Sequence, residues 1–487
     1  MRILLLISIL SLGIWLRLYH LDISPPGLYA DETSIIYNAY SILKTGKDEY
    51  GVAWPLFFRA FGEYKNPVFI YSLIPLIKIF GLEPIAIRVG AALWGSLALP
   101  LMYIFAKQVS KNKTVALLAT LILSLMPWQL HYSRIGFEAI SFSTLFLGCW
   151  VAYLWWRESK QPLIAMAWGT MLGLSWYSYT TARLWMILLW LLTVIIDWQQ
   201  FKKHKLDLVL SGLAFGIMLL PLIPWQQKYP GSLTARFNQI SIFNDKPSFK
   251  VILERAGETY LGHWQPKWLF GKGDTTLRHS SGVSSEMLAV WSPFFLSGLV
   301  FSLIKFRKKP IWQLIFLMIG LFPLAACLTQ TSPIATRTIQ AVPFFSLIIA
   351  MGVFCWRKKF ILIIFLLITG VEFSNYYYNL LTEYPRKVWL PRHGFDANLG
   401  PAIKAAGTDF CFSDKVDQGY IQGLFFTQSD PKLWQTDHKA NFKIVKAGAA
   451  KTECPGKIFI GMEKECLNPE GQVTANFGTD YCLILEN

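Results

Sequence analysis

Charge is what this chain has least of. Only 16% of its 487 residues are Asp, Glu, Lys or Arg, against 53% hydrophobic, where a soluble domain carries about a quarter charged. That balance excludes a chain solvated on all sides. Acidic residues are the scarcer sign, 30 against 46 basic, for a formal charge of +16. The excess does not mark a nucleic-acid partner, because Lys and Arg fall in short scattered clusters rather than one patch. A Gly-rich phosphate loop is missing from the polar connections, so there is no nucleotide site to assign. Carboxylates are nearly absent from the centres of the apolar runs, where ion pumps and proton-coupled transporters place them. No internal repeat is evident, which weighs against many secondary transporters. A small-x-small cleavage site is also lacking after the first apolar run, since Arg17-Leu18-Tyr19-His20 follows. That run is therefore read as an uncleaved first span.

What is present is a series of long apolar runs. With a window of about 19 residues they fall at 3–21, 85–106, 114–130, 140–156, 162–178, 184–198, 207–224, 288–304, 311–328, 338–356 and 360–376. Every second connection is short and basic: Lys107/Lys111/Lys113, Arg157/Lys160, Lys202/Lys203/Lys205, Lys305/Arg307/Lys308/Lys309 and Arg357/Lys358/Lys359. Those loops are expected in the cytoplasm together with Arg2 and the N-terminus. The other connections then face outward, as does the C-terminus. Val68–Gly81 is apolar but too short to span, and is read as an interfacial helix. Residues 225–287 make a second large outward loop, with Trp225, Trp264 and Trp268 expected near the headgroups.

After about Asn379 the apolar runs shorten and turn residues separate them, the pattern of a small α/β domain. Four of the seven Cys lie there: Cys411, Cys454, Cys466 and Cys482. An even number in an outward domain implies two disulfides, with three pairings open. A metal site is the rival, but no Cys-x-x-Cys occurs. Cys149, Cys327 and Cys355 lie in or beside spans and read as packing residues.

The ionisable residues of the outward connections sit next to apolar runs, as a catalyst at a membrane surface requires. Asp31 and Glu32 follow the first run, Lys65 precedes the interfacial helix, and Arg88 opens the next run. His131, Arg134 and Glu138 share one outward loop; Asp274, Arg278 and His279 share another, and Arg337 heads a later span. Each has a structural alternative. Asp31 could cap the helix after it, Lys65 could snorkel, Arg88 could pair with Glu83, and Glu138 with Arg134.

These residues lie in recognisable strings: Gly-Leu-Tyr-Ala-Asp-Glu-Thr (27–33), Glu-Tyr-Lys-Asn-Pro (63–67) and Ile-Arg-Val-Gly-Ala-Ala-Leu-Trp-Gly-Ser-Leu (87–97). With Ser-Arg-Ile-Gly-Phe-Glu (133–138), the 270–280 segment and Ser-Pro-Ile-Ala-Thr-Arg (332–337), the first 395 residues or so resemble the protein O-mannosyltransferase and aminoarabinose (lipid A) transferase superfamily. These are GT-C glycosyltransferases that use polyprenyl-phosphate sugars. The resemblance implies a polytopic α-helical membrane protein of GT-C type, with about eleven transmembrane helices and interfacial helices in the first outward loop. Residues 1–380 would form the catalytic domain, and 381–487 an extracytoplasmic α/β domain that resembles nothing nameable.

The resemblance matches Asp31 to the family's first-loop acid, Lys65 to the basic residue before the Pro, Arg88 to the Arg heading the next span, and Glu138 to a second acid. Asn66 departs from it, standing where members often have a second Pro, and the His-Pro-Pro of eukaryotic mannosyltransferases is lacking. The implied reaction is inverting transfer of one sugar from a polyprenyl-phosphate donor to a protein, glycolipid or polysaccharide hydroxyl, at the outer face of the cytoplasmic membrane. Asp31 is the expected base, with Glu32 and Glu138 as the other catalytic acids. Lys65, Arg88 and Arg337 are expected at the donor phosphate, and Tyr64, Arg278 and His279 at the substrate. No cofactor is required, although Asp31, Glu32 and Glu138 could hold a divalent ion. The expected partners are the lipid-linked donor, the acceptor and membrane lipids, with no nucleic acid. The rivals are an O-antigen ligase or oligosaccharyltransferase using a lipid diphosphate, and a lipid or sugar flippase.

Overall fold

The computed structural model describes residues 2–330, 333–388, 395–407, 409–438, 440, 442–446, 453–454, 457–462, 465–466, 472–477 and 481–485. Its first seven helices are α1 (Arg2–Leu18), α2 (Ala30–Thr45), α3 (Pro67–Phe80), α4 (Pro84–Ser110), α5 (Lys113–Leu125), α6 (Pro127–Tyr132) and α7 (Ala139–Ser159). Each of the apolar runs read from the sequence is helical, several of them as two successive helices. Among the described residues six helices are long and apolar enough to cross a membrane: α4, α7, Lys205–Lys228, Ala289–Phe306, Pro310–Cys327 and Lys359–Val388. α7 is apolar and buried on nearly every face, which makes it the central post of the bundle. It packs against α4 on one side and the helix Pro162–Trp176 on the other.

Proline and glycine set the boundaries that matter for the site. The run 114–130 is broken, because Met126 is extended (ψ 117°) and Pro127, which lacks an N–H, starts α6 afresh. α2 ends on Gly46 at φ 71°, whose N–H reaches back to Ile42 O. α3 begins on Pro67 and covers 14 residues, about 21 Å. That is short of the roughly 30 Å of a bilayer's hydrocarbon core. The helix Lys359–Val388 runs on past residue 380, where a domain boundary was expected.

The 225–287 connection folds back onto the bundle through the helices Ala235–Ile240 and Phe249–Trp264. Its tryptophans pack against protein. Trp225 is buried and donates to Ser232 Oγ at 2.9 Å. Trp268 is buried edge-on against Trp128, and Trp264 packs on Phe322. Trp128 and Phe322 lie 140 and 58 positions from the rings they meet, contacts that no local pattern announces.

Two short strands, β1 (Phe58–Ala60) and β2 (Glu63–Lys65), lie between α2 and α3; beyond the bundle come β3 (Phe410–Ser413), β4 (Phe442–Val445), β5 (Ile458–Met462), β6 (Gln472–Phe477) and β7 (Tyr481–Leu485). These last five form a mixed sheet in the order β4-β3-β5-β7-β6. β3 is parallel to β4 and β5, and β7 is antiparallel to β5 and β6. Cys411 is bonded to Cys454 and Cys466 to Cys482, stapling a unit whose own core is small. The unit seats on α2 and the loop after it: Thr33 Oγ1 donates to Gln422 Oε1 (3.1 Å), Tyr37 to Ser429 O (3.1 Å), and Gln435 Nε2 to Asp48 O in that loop (2.9 Å).

Candidate active site

Two short elements bring the chemistry together. A β-hairpin pairs β1 (Phe58–Ala60) with β2 (Glu63–Lys65), matching Phe58 to Lys65 and Ala60 to Glu63. Its two-residue turn, Phe61-Gly62, has φ of 53° and 76°, the all-positive geometry that suits a tight hairpin. Alternation along β2 then puts Glu63 and Lys65 on one face. That face meets the first turn of α2, where Lys65 Nζ lies 2.7 Å from Asp31 Oδ1 and also bonds Glu63 Oε1. Arg236 Nε is 3.0 Å from the other oxygen of Glu63. The result is a row of alternating charge, Asp31, Lys65, Glu63, Arg236.

This row lines a cavity of about 720 Å³. Tyr64, Glu138, Arg278, His279 and Arg337 line it too, so seven of the expected site residues meet there. Asp31 is not a helix cap: α2 starts at Ala30, with Tyr29 at the N-cap. Its side chain is 30% exposed. Burial pushes its pKa up, but the charge and hydrogen bond of Lys65, then Arg278 and Arg236, outweigh burial and hold it below the ordinary carboxylate value. Burial would lower Lys65, yet Asp31 and Glu63 raise it above the usual lysine value. Both groups are therefore charged at neutral pH.

Glu138, just before α7, does not pair with Arg134. It accepts the Asn66 backbone N–H and, at 3.2 Å, the Asn66 side-chain amide, while Asn66 Oδ1 accepts from Arg183 at 3.2 Å. A Pro at 66 could make none of these bonds. Burial raises Glu138 to about 7, opposed by Lys65 and by the Asn66 bonds.

Two expected residues are not in the cavity. Glu32 is 0% exposed and Arg88 2%. Arg88 Nη2 lies 2.9 Å from Glu32 Oε2, and its other bonds go to Arg134 O and Gly27 O, each 2.8 Å. Glu32 Oε1 accepts the Gly136 N–H at 2.6 Å. This buried pair ties α2, α4 and the loop before α7 together behind the wall, so neither Arg88, expected at the donor phosphate, nor Glu32, expected as a catalytic acid, lines the cavity. Arg134 is likewise structural, donating to carbonyls of Leu16, Tyr19, His20 and Ser24.

Arg278 also lines the cavity, lying over the Tyr29 ring at 5.6 Å, and its Nε has no hydrogen-bond partner among the described residues. His279 Nδ1 is 3.3 Å from Asp274 Oδ2. Asp274 also takes the Ala335 N–H at 2.9 Å and so anchors the segment that carries Arg337. Arg337 donates to Thr329 Oγ1. Ser332, within one of the strings read above, lies outside the described residues. Sequence reasoning did not assign Glu63, Arg236 or Asp274 to the site; the alternation of Glu63 with Lys65 was the one local signal. Asp31, Glu32 and Glu138 do not converge, and among the described residues no three His, Cys, Asp or Glu side chains are grouped to hold a metal.

No protein-family model matches the chain, and no curated protein matches it in sequence. Solved structures do match it in fold. ArnT from Cupriavidus metallidurans, bound to undecaprenyl phosphate, superposes with a TM-score of 0.61 at 11% identity, over 99% of this chain and 97% of that one. The archaeal oligosaccharyltransferase AglB from Archaeoglobus fulgidus, in complex with an inhibitory peptide and a dolichol-phosphate, gives 0.56 at 11% identity, over 95% of this chain and 69% of its own. The chain thus has the GT-C membrane fold of these glycosyltransferases.

Proposed function

We propose that this protein is a membrane glycosyltransferase that moves one sugar from a polyprenyl-phosphate donor to an acceptor hydroxyl, with inversion, at the outer face of the cytoplasmic membrane. One observation carries this reading: Asp31, an ionised acid, opens into a cavity that Lys65, Arg236, Arg278 and Arg337 also line. The acceptor oxygen attacks the anomeric carbon as the bond from that carbon to the phosphate oxygen breaks. The acceptor proton passes to Asp31, which stays ionised until then. Charge building on the leaving lipid phosphate is met by Lys65, Arg278 and Arg337. Arg278 suits this best, because its Nε has no protein partner among the described residues. Glu138 acts through Asn66, holding the strand that carries Lys65. On the same reading the eleven apolar helices all span, with the N-terminus inside. The unit after Val388 is then extracytoplasmic, roofing the cavity end through α2.

The test offers purified protein a labelled polyprenyl-phosphate sugar and an acceptor-bearing membrane extract, and follows release of the lipid phosphate. Release that needs the acceptor supports the reading; none with any sugar contradicts it. The fourth cation, Arg236, favours a lipid-diphosphate donor as the second reading, and the same assay with that donor separates the two.

A further inference from the structure

The far end of the bundle carries a second cluster of charge. α7 has Glu138 at its cavity end and Glu158 near the other, 21 helical residues that span about 31 Å. That is about the thickness of a bilayer's hydrocarbon core. At this far end, between the close of α4, the start of α5 and the close of α7, lies a groove of about 410 Å³. Lys107, Lys111 and Lys113 line it against one carboxylate, Glu158, which pairs with Lys111. Lys107 and Lys113 have no ion pair among the described residues.

Gln108 also lines the groove. It is 8% exposed, and neither Oε1 nor Nε2 has a hydrogen-bond partner among the described residues. A buried amide ordinarily has one. Trp155, half exposed, stands at the rim, as aromatic rings do at headgroup depth. Along α4, Leu93, Leu97, Leu101 and Ile104 precede Lys107 and Lys111 at spacings of three and four. They share one face, an apolar stripe that runs into the cations. Leu93 and Leu97 are exposed along it.

We propose that this groove binds the phosphodiester headgroup of an anionic phospholipid in the leaflet opposite the catalytic cavity, with an acyl chain lying along the Leu93–Ile104 stripe. Lys107 and Lys113 supply the uncompensated positive charge. Gln108 donates its amide to a headgroup oxygen, which satisfies the group that the protein itself does not. The stripe gives a lipid an advantage over a free phosphate ion.

Native mass spectrometry of the full chain in detergent tests this, with phosphatidylglycerol and phosphatidylcholine of identical chains as probes. Phosphatidylglycerol is expected to half-saturate the protein at roughly tenfold lower concentration than phosphatidylcholine. The double variant Lys107→Gln/Lys113→Gln should erase that preference, each lysine near a membrane surface being worth about fivefold. Gln108→Leu should weaken both lipids by a few-fold, because both carry the phosphodiester, and leave the preference between them in place. Each single lysine variant is run beside the double one, and gel filtration at the wild-type position certifies its fold. Equal retention of the two lipids, an unchanged preference in the double lysine variant, or unweakened binding in Gln108→Leu overturns the proposal. Displacement of phosphatidylglycerol by millimolar inorganic phosphate would show a free-phosphate site and overturn the lipid assignment.

Discussion

At the scale of single residues, the site turns on two carboxylates whose surroundings pull them apart. Asp31 is held below its ordinary pKa by Lys65, and burial lifts Glu138 to about 7. A base works only when ionised. With Asp31 in that role, kcat/KM should stay level as pH falls from 7 to 5; with Glu138 it would be half lost near 7. Lys65→Ala removes the main opposing influence and leaves burial, so the acid limb should move upward while donor use weakens. A limb unmoved in that variant would contradict the Asp31–Lys65 coupling. Asp31, Lys65 and Glu138 were legible in the sequence because each adjoins an apolar run or a Pro in an otherwise polar loop. The place of Arg88 behind the cavity wall was not legible, because its partner, Glu32, lies 56 positions away. Charge at the head of a span looks the same whether it faces a ligand or a buried ion pair.

Among elements, the loop after α2 holds a carboxyl with a clear pH signature. Glu49 is buried, accepts from Asn38 Nδ2 at 3.0 Å, and has its pKa raised by burial from 4.5 to about 8. A carboxyl raised in the folded state contributes stability that is complete below pH about 4.5 and is lost as pH rises to about 8. Glu49→Gln keeps an acceptor for Asn38 without the titration. Its Tm advantage over wild type should therefore grow from pH 5 to 8 and then level off, as differential scanning fluorimetry in detergent would show. A gap constant with pH would contradict the assignment. Helix positions here followed from apolar runs, and Pro67 and Gly81 bounded α3 in plain view. The break at Pro127 was hidden because the hydrophobic run continues through it. The hairpin β1–β2 was hidden because its strands are three residues each.

For the whole molecule, the alternation of basic loops made the membrane bundle legible, since it depends on composition and needs no contact information. The packing of the sheet unit on α2, and the return of Arg236, Arg278 and Arg337 to the first loop, depend on contacts across hundreds of residues and leave no local pattern. The proposed orientation has a direct check. Cys placed at Lys203 should resist a membrane-impermeant maleimide in intact cells, and Cys placed at Lys272 should react; the reverse pattern would invert the map. The central claim is that Asp31 removes the acceptor proton, and turnover at saturating donor in Asp31→Asn and Glu138→Gln tests it most directly. Asn preserves size but accepts no proton, so Asp31→Asn should lose about 100-fold or more, in a protein that still elutes as wild type. Glu138→Gln keeps one acceptor for Asn66 and should retain part of the activity. If Asp31→Asn stays within about threefold of wild type while Glu138→Gln is inactive, the base is Glu138 and the account is wrong.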